Sequence, residues 1–409
     1  MEEITLNLPF FIAGVIIFIG FLGTIFFQKT RIPDVLFLIA IGLIIGPLGG
    51  WIDVKQLDKI TPYFARLALI IILFEGGLHL SFDSIIKYLV GGVGLSLATY
   101  VLSMVSTYFI CVYFLHMSVI NSLLIGGIIG CTSPAVIIPL ITQMNCKEES
   151  RSIISIESVV TEIFAIIGVI VLIDISLMDK FRPSSIMNSV IGSFSIGLVA
   201  AIVIGLLWMK VLKNVKSSAL SYMTTLAVVL ILFGVVEMSK GSGAVAAFVF
   251  GLVLRNGTRF LRVFDETKSF QLNGKIEEFH GEITFFIRTY FFVYLGLLIP
   301  LSLFTQYDML KNGVLIVGGL IIARYIAVWL LCAIYKPMRS ERFIYFVMLP
   351  RGLASAVVAS LPFAYKVPRT EDFVTYTILV ILISNVFMVL GIFAAERGVI
   401  SQSKHSQLR

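Results

Sequence analysis

Charge is scarce in this sequence. Only 13% of its 409 residues are acidic or basic, against 58% hydrophobic, and the mean hydropathy is +1.01. A soluble globular domain carries about a quarter charged residues, so that class is excluded and an integral membrane protein is indicated. Cysteine and histidine are scarce too, with four of each. Cys111, Cys131, Cys146 and Cys332 stand singly, mostly inside apolar runs, with neither paired spacing nor neighbouring histidines. This excludes a disulfide framework and a Cys/His metal site, and leaves small buried thiols. There is no His-Glu-x-x-His, no paired Gly-x-Gly-Asp, and no serine with a histidine at matching membrane depth, which argues against an intramembrane enzyme. Low-complexity stretches and a soluble domain are missing as well. Met1, Glu2 and Glu3 supply no basic signal-peptide region, and no small-residue cleavage site follows the first apolar run, so that run is expected to stay as a helix.

Long apolar runs are what the sequence does have. Thirteen are long enough to cross a hydrocarbon core of about 30 Å. They cover 7–27, 34–51, 62–81, 88–114, 119–143, 152–177, 186–209, 219–238, 241–254, 279–300, 312–334, 343–364 and 373–394. The loops after odd-numbered segments, with the C-terminal tail, hold 19 Lys and Arg; the N-terminus and the loops after even-numbered segments hold 8. By the positive-inside rule this puts the N-terminus outside and the C-terminus in the cytoplasm. It also accounts for the net charge of +7 without a nucleic-acid partner. The longest connection, Arg255 to Glu278, is polar, and its "RFLRVF" sets apolar residues among arginines, as in an amphipathic surface helix.

A weak internal echo runs along the chain. "FLIAIGLIIGP" in segment two resembles "AAFVFGLVLRN" in segment nine, and "LFEGGLHLS" in segment three resembles "VYLGLLIPLS" in segment ten. Both comparisons skip seven segments, an odd number, so two such halves would lie inverted, as in many secondary transporters. The expected organisation is a single membrane domain over 1–409. Its repeats run about 7–209 and 219–394, and 395–409 forms a short cytoplasmic tail.

Ionisable groups inside a bilayer cost a few kcal/mol each and are functional hypotheses by default. Glu75, Glu157, Glu162 and Arg324 stand near the middle of their segments, with Arg288 and Arg351 less deep. Asp174, Glu237, Glu282 and Arg66 lie near segment ends, where snorkelling to the interface is expected. In segment six, Glu157 and Glu162 are five residues apart, about 140° around a helix, so the two serve separate tasks. Ser158 shares a face with Glu162, and Thr161 one with Glu157. In "IIGCTSPAVIIP", Thr132, Ser133 and Pro134 fall at mid-membrane; Pro134 implies either a kink or a break that frees backbone carbonyls. Glu75 precedes two glycines that permit close helix approach, while His79 reads as an interfacial or packed histidine. An unpaired guanidinium at depth is untenable, and Glu157 with Arg324 is the expected ion pair. Asn385 in "ISNVF" occupies the repeat counterpart of Glu162.

At these residues the sequence resembles the monovalent cation/proton antiporter superfamily, in particular NhaP-type sodium/proton exchangers. "LFEGGLHLS", "CTSPAVIIP", "SIESVVTEIF", "FFIRTYFFVYLGLLIP", "IIARYIAVW" and "PRGLASAVVASLP" carry the resemblance across nearly the whole chain. It implies an all-α polytopic fold with inverted repeats, two broken helices crossing in a core domain, an elevator-like mechanism and a homodimer. It implies a secondary transporter, not an enzyme, with no resident cofactor, exchanging Na⁺, or K⁺ in the alternative, for H⁺. By resemblance Glu162 binds cation or proton, Ser158 and Thr132 are cation ligands, and Glu157 with Arg324 is structural. Glu75 and Arg351 match the family's glutamate of segment three and arginine of segment twelve. The usual Asn-Asp dyad reads Thr161-Glu162 here, and the usual Thr-Asp-Pro reads Thr132-Ser133-Pro134.

The chemistry expected is competition. Burial disfavours a charged carboxylate and a bound cation favours it, so proton and cation exclude each other at Glu162. A channel or sensor on the same scaffold is the rival reading.

Overall fold

The computed structural model describes residues 14–23, 25, 34–50, 61–144, 146–177, 183–214, 219–262, 274–299, 301 and 306–406. Among these the structure is helical and contains no strand. In chain order the helices are α1 (Gly14–Gly23), α2 (Asp34–Leu43, followed by a π-turn at Ile44–Leu48), α3 (Thr61–His79), α4 (Phe82–Lys87) and α5 (Leu89–Tyr113). Next come α6 (Val119–Ile129), α7 (Pro134–Gln143), α8 (Glu148–Leu177), α9 (Pro183–Asn214), α10 (Ala219–Met238), α11 (Gly243–Arg255) and α12 (Gly257–Arg262). Then follow α13 (Gly274–Leu297), α14 (Tyr307–Ile334), a 3₁₀ stretch (Lys336–Glu341), α15 (Arg342–Val347), α16 (Leu353–Ala364) and α17 (Phe373–Ser406). Six of the described spans are long and apolar enough to cross a membrane, and five further apolar helices are shorter.

Two of the expected segments are interrupted, and the interruptions explain some of the short helices. Segment five stops at Ile129 and restarts at Pro134. Ser133 is extended at ψ 110°, the geometry that a following proline imposes. Pro134 then opens α7, where a missing N–H costs nothing. Segment twelve stops at Val347 and restarts at Leu353. The choice between kink and break that Pro134 leaves open is therefore resolved as a break. The membrane-crossing span of segment thirteen is Phe373–Ala394, as expected, and α17 runs on from it to Ser406. Ala394, Ala395, Glu396 and Arg397 are strong helix formers, and they carry the helix beyond the apolar run.

The chain divides into two compact units. The first comprises Met1–Lys59, Tyr88–Ala165 and Thr289–Arg409; the second comprises Ile60–Lys87 and Ile166–Arg288. In the first, α5 packs on α6 and α14, and α17 packs on α14, α15, α16 and α6. In the second, α11 packs on α3, α9 and α10, with Phe74 and Phe250 ring to ring at 5.8 Å. There α12 takes in Arg259 to Arg262 of the expected surface helix; Val263 and Phe264 fall outside the described residues. Phe260 of α12 lies 5.7 Å from Phe82 of α4, and Arg259 pairs with Asp83 at 2.6 Å.

One crossing recurs in both units. In the second, a Cβ on Gly77 would run into the carbonyl oxygen of Phe248, and one on Gly251 into that of Phe74. In the first, Gly42 and Gly296 stand in the same relation to the carbonyls of Val293 and Ile39. Each glycine abuts the carbonyl three residues before its partner. Gly42 and Gly251 occupy the same place in the aligned sequence echo. Only glycine lets the two backbones approach so closely.

Candidate functional site

Helix α8 brings Glu157, Ser158, Thr161 and Glu162 into the interior; Glu162 is 3% exposed and the other three wholly buried. Arg324 of α14 reaches Glu157 with both terminal nitrogens, Nη1 to Oε1 at 2.5 Å and Nη2 to Oε2 at 2.9 Å. The same guanidinium donates from Nε to the Tyr345 carbonyl at 2.8 Å and from Nη1 to Thr99 Oγ1 at 2.9 Å. Such a two-pronged pair satisfies charge and hydrogen bonding together in low dielectric. It commits both oxygens of Glu157 and binds α8, α14, α5 and α15 to one another.

The break between α6 and α7 lies against the next turn of α8. The Thr132 amide donates to Thr161 Oγ1 at 3.1 Å, and the two hydroxyls lie 3.2 Å apart. Thr161 spends its one proton on the Ser158 carbonyl at 3.1 Å, so Thr132 is the donor of the hydroxyl pair. Ser158 in turn directs its proton to the Ser155 carbonyl at 3.0 Å. With the proton held by the helix, the lone pairs of Ser158 Oγ are presented away from it, as an alkali cation requires. Glu162 is one turn beyond Ser158 on the same face of α8.

The two breaks meet. The Ser133 amide donates to the Pro350 carbonyl at 3.0 Å, and any side chain at position 352 would collide with Ser133, which accounts for Gly352. Cys131 Sγ and Ser355 Oγ lie 3.2 Å apart. Arg351, fully buried, donates from Nε to the Ile129 carbonyl at 2.5 Å and from Nη1 to the Leu349 carbonyl at 3.1 Å. This places a cation at the negative end of α6. Asn385 of α17 donates to the Arg351 carbonyl at 2.8 Å, and Ser384 Oγ accepts from the Arg351 amide at 3.2 Å. Ser133 Oγ, Arg351 Nη2 and Asn385 Oδ1 are buried without a hydrogen-bond partner. Buried polar atoms in that condition mark a place suited to water or an ion.

Glu75 and Arg288 belong to the second unit. Glu75 Oε1 is 3.5 Å from His79 Nε2 one turn along α3, and Arg288 sits over the Phe285 ring at 6.0 Å. Asp174, Glu237, Glu282 and Arg66 are exposed, in line with their position near segment ends. The sequence gives no sign of Ser355 or Ser384 as parts of the site, and it marks Cys131 only as a small buried thiol, with no hint of its contact with Ser355. Thr99 is a further residue the sequence reading passes over. A signal for Thr99 was present: Ser96, Thr99, Ser103 and Thr107 recur at helical spacing along α5, and all are buried. All four cysteines are free thiols.

A family model described as "Sodium/hydrogen exchanger, transmembrane" matches residues 14–395. The chain is 24% identical over 371 residues to the "Probable Na(+)/H(+) antiporter 2" of Methanocaldococcus jannaschii, covering 85% of each protein. It is 26% identical over 409 residues to the "K(+)/H(+) antiporter NhaP2" of Shewanella sp. (strain MR-4), covering 97% of this chain and 68% of that protein. Among solved structures, the sodium proton antiporter MjNhaP1 from M. jannaschii at pH 8 superposes with a TM-score of 0.77 at 23% identity, over 94% of this chain and 99% of that one.

Proposed function

The chain belongs to the sodium/hydrogen exchanger family, and on that premise we propose that it exchanges a monovalent cation, Na⁺ first, for H⁺, with Glu162 alternately protonated and cation-bound. The observation that carries this reading is the division of labour on α8. Of its two buried acids, Glu157 is held by Arg324 through both oxygens. The exchange chemistry therefore falls to Glu162, next to Thr161 and the Thr132 break. Ser158 and Thr132 are the proposed oxygen ligands, with Thr161 and Ser133 completing the polar wall.

Burial disfavours the naked carboxylate, and either a proton or a cation relieves it, so the two compete and exchange is obligatory. Loaded with either, the site is neutral and moves; empty, it stays. One carboxylate implies one-for-one, electroneutral exchange by an elevator-like alternating-access motion. K⁺ is the second reading, favoured by the similarity to a K⁺/H⁺ antiporter. Multi-pass membrane insertion follows from the family and the apolar helices. An outside N-terminus and a cytoplasmic C-terminus are part of the proposal and rest on the 19-to-8 distribution of basic residues. Dimerisation and a place for Glu75 in the cation or proton site rest on the family resemblance, and Arg288, Arg351 and Asn385 are proposed as further polar residues of the core.

The test is proton flux reported by a pH-sensitive dye in liposomes, titrated with each alkali cation. The parent should show saturable counterflow, unaffected by an imposed membrane potential, and Glu162→Gln should show none while unfolding at the parent's temperature. Cation-driven proton flux in a folded Glu162→Gln protein would overturn the assignment.

A further inference from the structure

One cavity in the first unit takes no part in the exchange chemistry. It has a volume of about 610 Å³ and lies between the C-terminal half of α14 and the stretch from the 3₁₀ turn into α15. Tyr325, Trp329 and Ala333 recur along one face of α14 and form its long wall. Phe343 and Phe346 close the other side, with Phe346 packed edge-on against Tyr325 at 6.0 Å. Trp329 is 62% exposed and Tyr325 61%, on a helix long and apolar enough to span a membrane. An aromatic wall exposed on such a helix meets acyl chains, not water.

The mouth of the cavity has a different character. Arg339 and Arg342 line it, and no lining residue is acidic. Arg339 is fixed there, donating from Nε to the Cys332 carbonyl at 2.7 Å. The acid nearest in sequence, Glu341, is engaged elsewhere, since both its oxygens accept from the Lys147 amide, at 3.2 and 3.3 Å. Glu149 likewise accepts from the Tyr335 hydroxyl at 2.5 Å. No acidic side chain lines the cavity, so the charge of Arg339 and Arg342 is uncompensated by its lining. From Ala333 near the end of α14 to Tyr325 the wall runs eight residues, about 12 Å of helix and so a little under half a hydrocarbon core.

We propose that this cavity binds one anionic phospholipid, its phosphate held by Arg339 and Arg342 and an acyl chain laid along Trp329 and Tyr325. The combination decides the occupant. A free anion would have no use for the aromatic wall, and a neutral lipid none for a doubly cationic mouth; basic pockets between spanning helices suit anionic headgroups. α15 leads directly into the second break, so the bound lipid also braces the segment whose Tyr345 carbonyl holds Arg324.

The experiment uses the full chain with Trp51→Phe and Trp208→Phe, which leaves Trp329 as the sole tryptophan. It is reconstituted in phosphatidylcholine vesicles doped with brominated-chain phosphatidylglycerol or, separately, brominated-chain phosphatidylcholine. Quenching of Trp329 should show an apparent affinity about fivefold or more higher for phosphatidylglycerol, each arginine near the surface supplying about a factor of five. Arg342→Gln should lower that preference about fivefold, and Arg342→Lys should retain it. Native mass spectrometry of the unaltered chain and of its Arg342→Gln form makes the same comparison by counting retained phosphatidylglycerol. Equal quenching by the two lipids, an unchanged preference in Arg342→Gln, or loss of the preference on adding millimolar inorganic phosphate would each overturn the proposal. The last result would identify a site for a soluble anion. None of these readouts depends on transport.

Discussion

Arg324 and Glu157 are joined by two hydrogen bonds, of 2.5 and 2.9 Å, and neither side chain has any exposed surface. A buried pair of this kind adds little beyond what a well-packed apolar pair would, but breaking it leaves a charge stranded in low dielectric. Glu157→Gln should therefore lower stability by about 3 to 5 kcal/mol, and replacing both residues with leucine should recover much of the loss. Thermal unfolding of the purified protein in detergent measures both. A Glu157→Gln variant as stable as the parent would remove the pair from the support of the fold.

That pair was legible in the sequence because physics left few choices: a guanidinium at mid-membrane needs an acid, and segment six offered one on each of two faces. The break in segment five was legible only as one of two outcomes, since a proline after a polar pair serves a kink as well as a break. The partners that complete the site were harder to read. Tyr345 binds Arg324 through a backbone carbonyl, available because α15 is only 6 residues long and the last carbonyls of a helix lack helical partners. No side-chain pattern announces that. Cys131 and Ser355 were invisible for a related reason: thiols and hydroxyls are cheap to bury, so their presence in an apolar run predicts nothing about what they touch. The continuation of α17 to Ser406 was not legible, because hydropathy marks where the membrane stops, not where the helix does.

The reciprocal glycine crossings predict a steep and local intolerance. At Gly77 the obstacle to a Cβ is the backbone of Phe248, which cannot rotate aside, so α3 and α11 must separate. Gly77→Ala should cost about 1 to 3 kcal/mol, and Gly296→Ala, its counterpart in the other unit, should cost the same. Gly234 lies inside α10 with open space where its Cβ would be. Gly234→Ala should therefore be neutral or stabilising by up to about 1 kcal/mol. Unfolding temperatures of the three variants compared side by side decide this.

Tyr335 gives the alkaline limb of stability a specific cause. Its hydroxyl donates to Glu149, and that hydrogen bond, with burial and the nearby negative charge, holds the phenol up to about 12. A group whose pKa rises on folding contributes most while both states are protonated. This contribution is whole below a pH of about 10, the value for an unfolded tyrosine, and is lost as pH climbs through about 12. Tyr335→Phe should unfold at a lower temperature than the parent at pH 8. The gap should narrow as pH rises past 10. A gap of constant size across that range would assign the difference to packing instead of the hydrogen bond.

Thr161 is the hinge between acid and break. Its oxygen accepts from the Thr132 amide, and its proton is held by the Ser158 carbonyl. Thr161→Val keeps the shape and removes both roles, leaving the Thr132 amide buried and unsatisfied at a cost of about 1 to 3 kcal/mol. If the break is the wall of the cation site, the loss should also appear as weaker cation affinity, with the half-saturating concentration raised roughly tenfold for each 1.4 kcal/mol that falls on the loaded state. Thr161→Ser restores the hydroxyl and should recover both stability and affinity. The measurement is cation-dependent proton flux for parent, Val and Ser forms, alongside their unfolding temperatures. Reduced stability in the Val form with parent-like affinity would leave Thr161 as a brace for the break, with no hand in holding the ion.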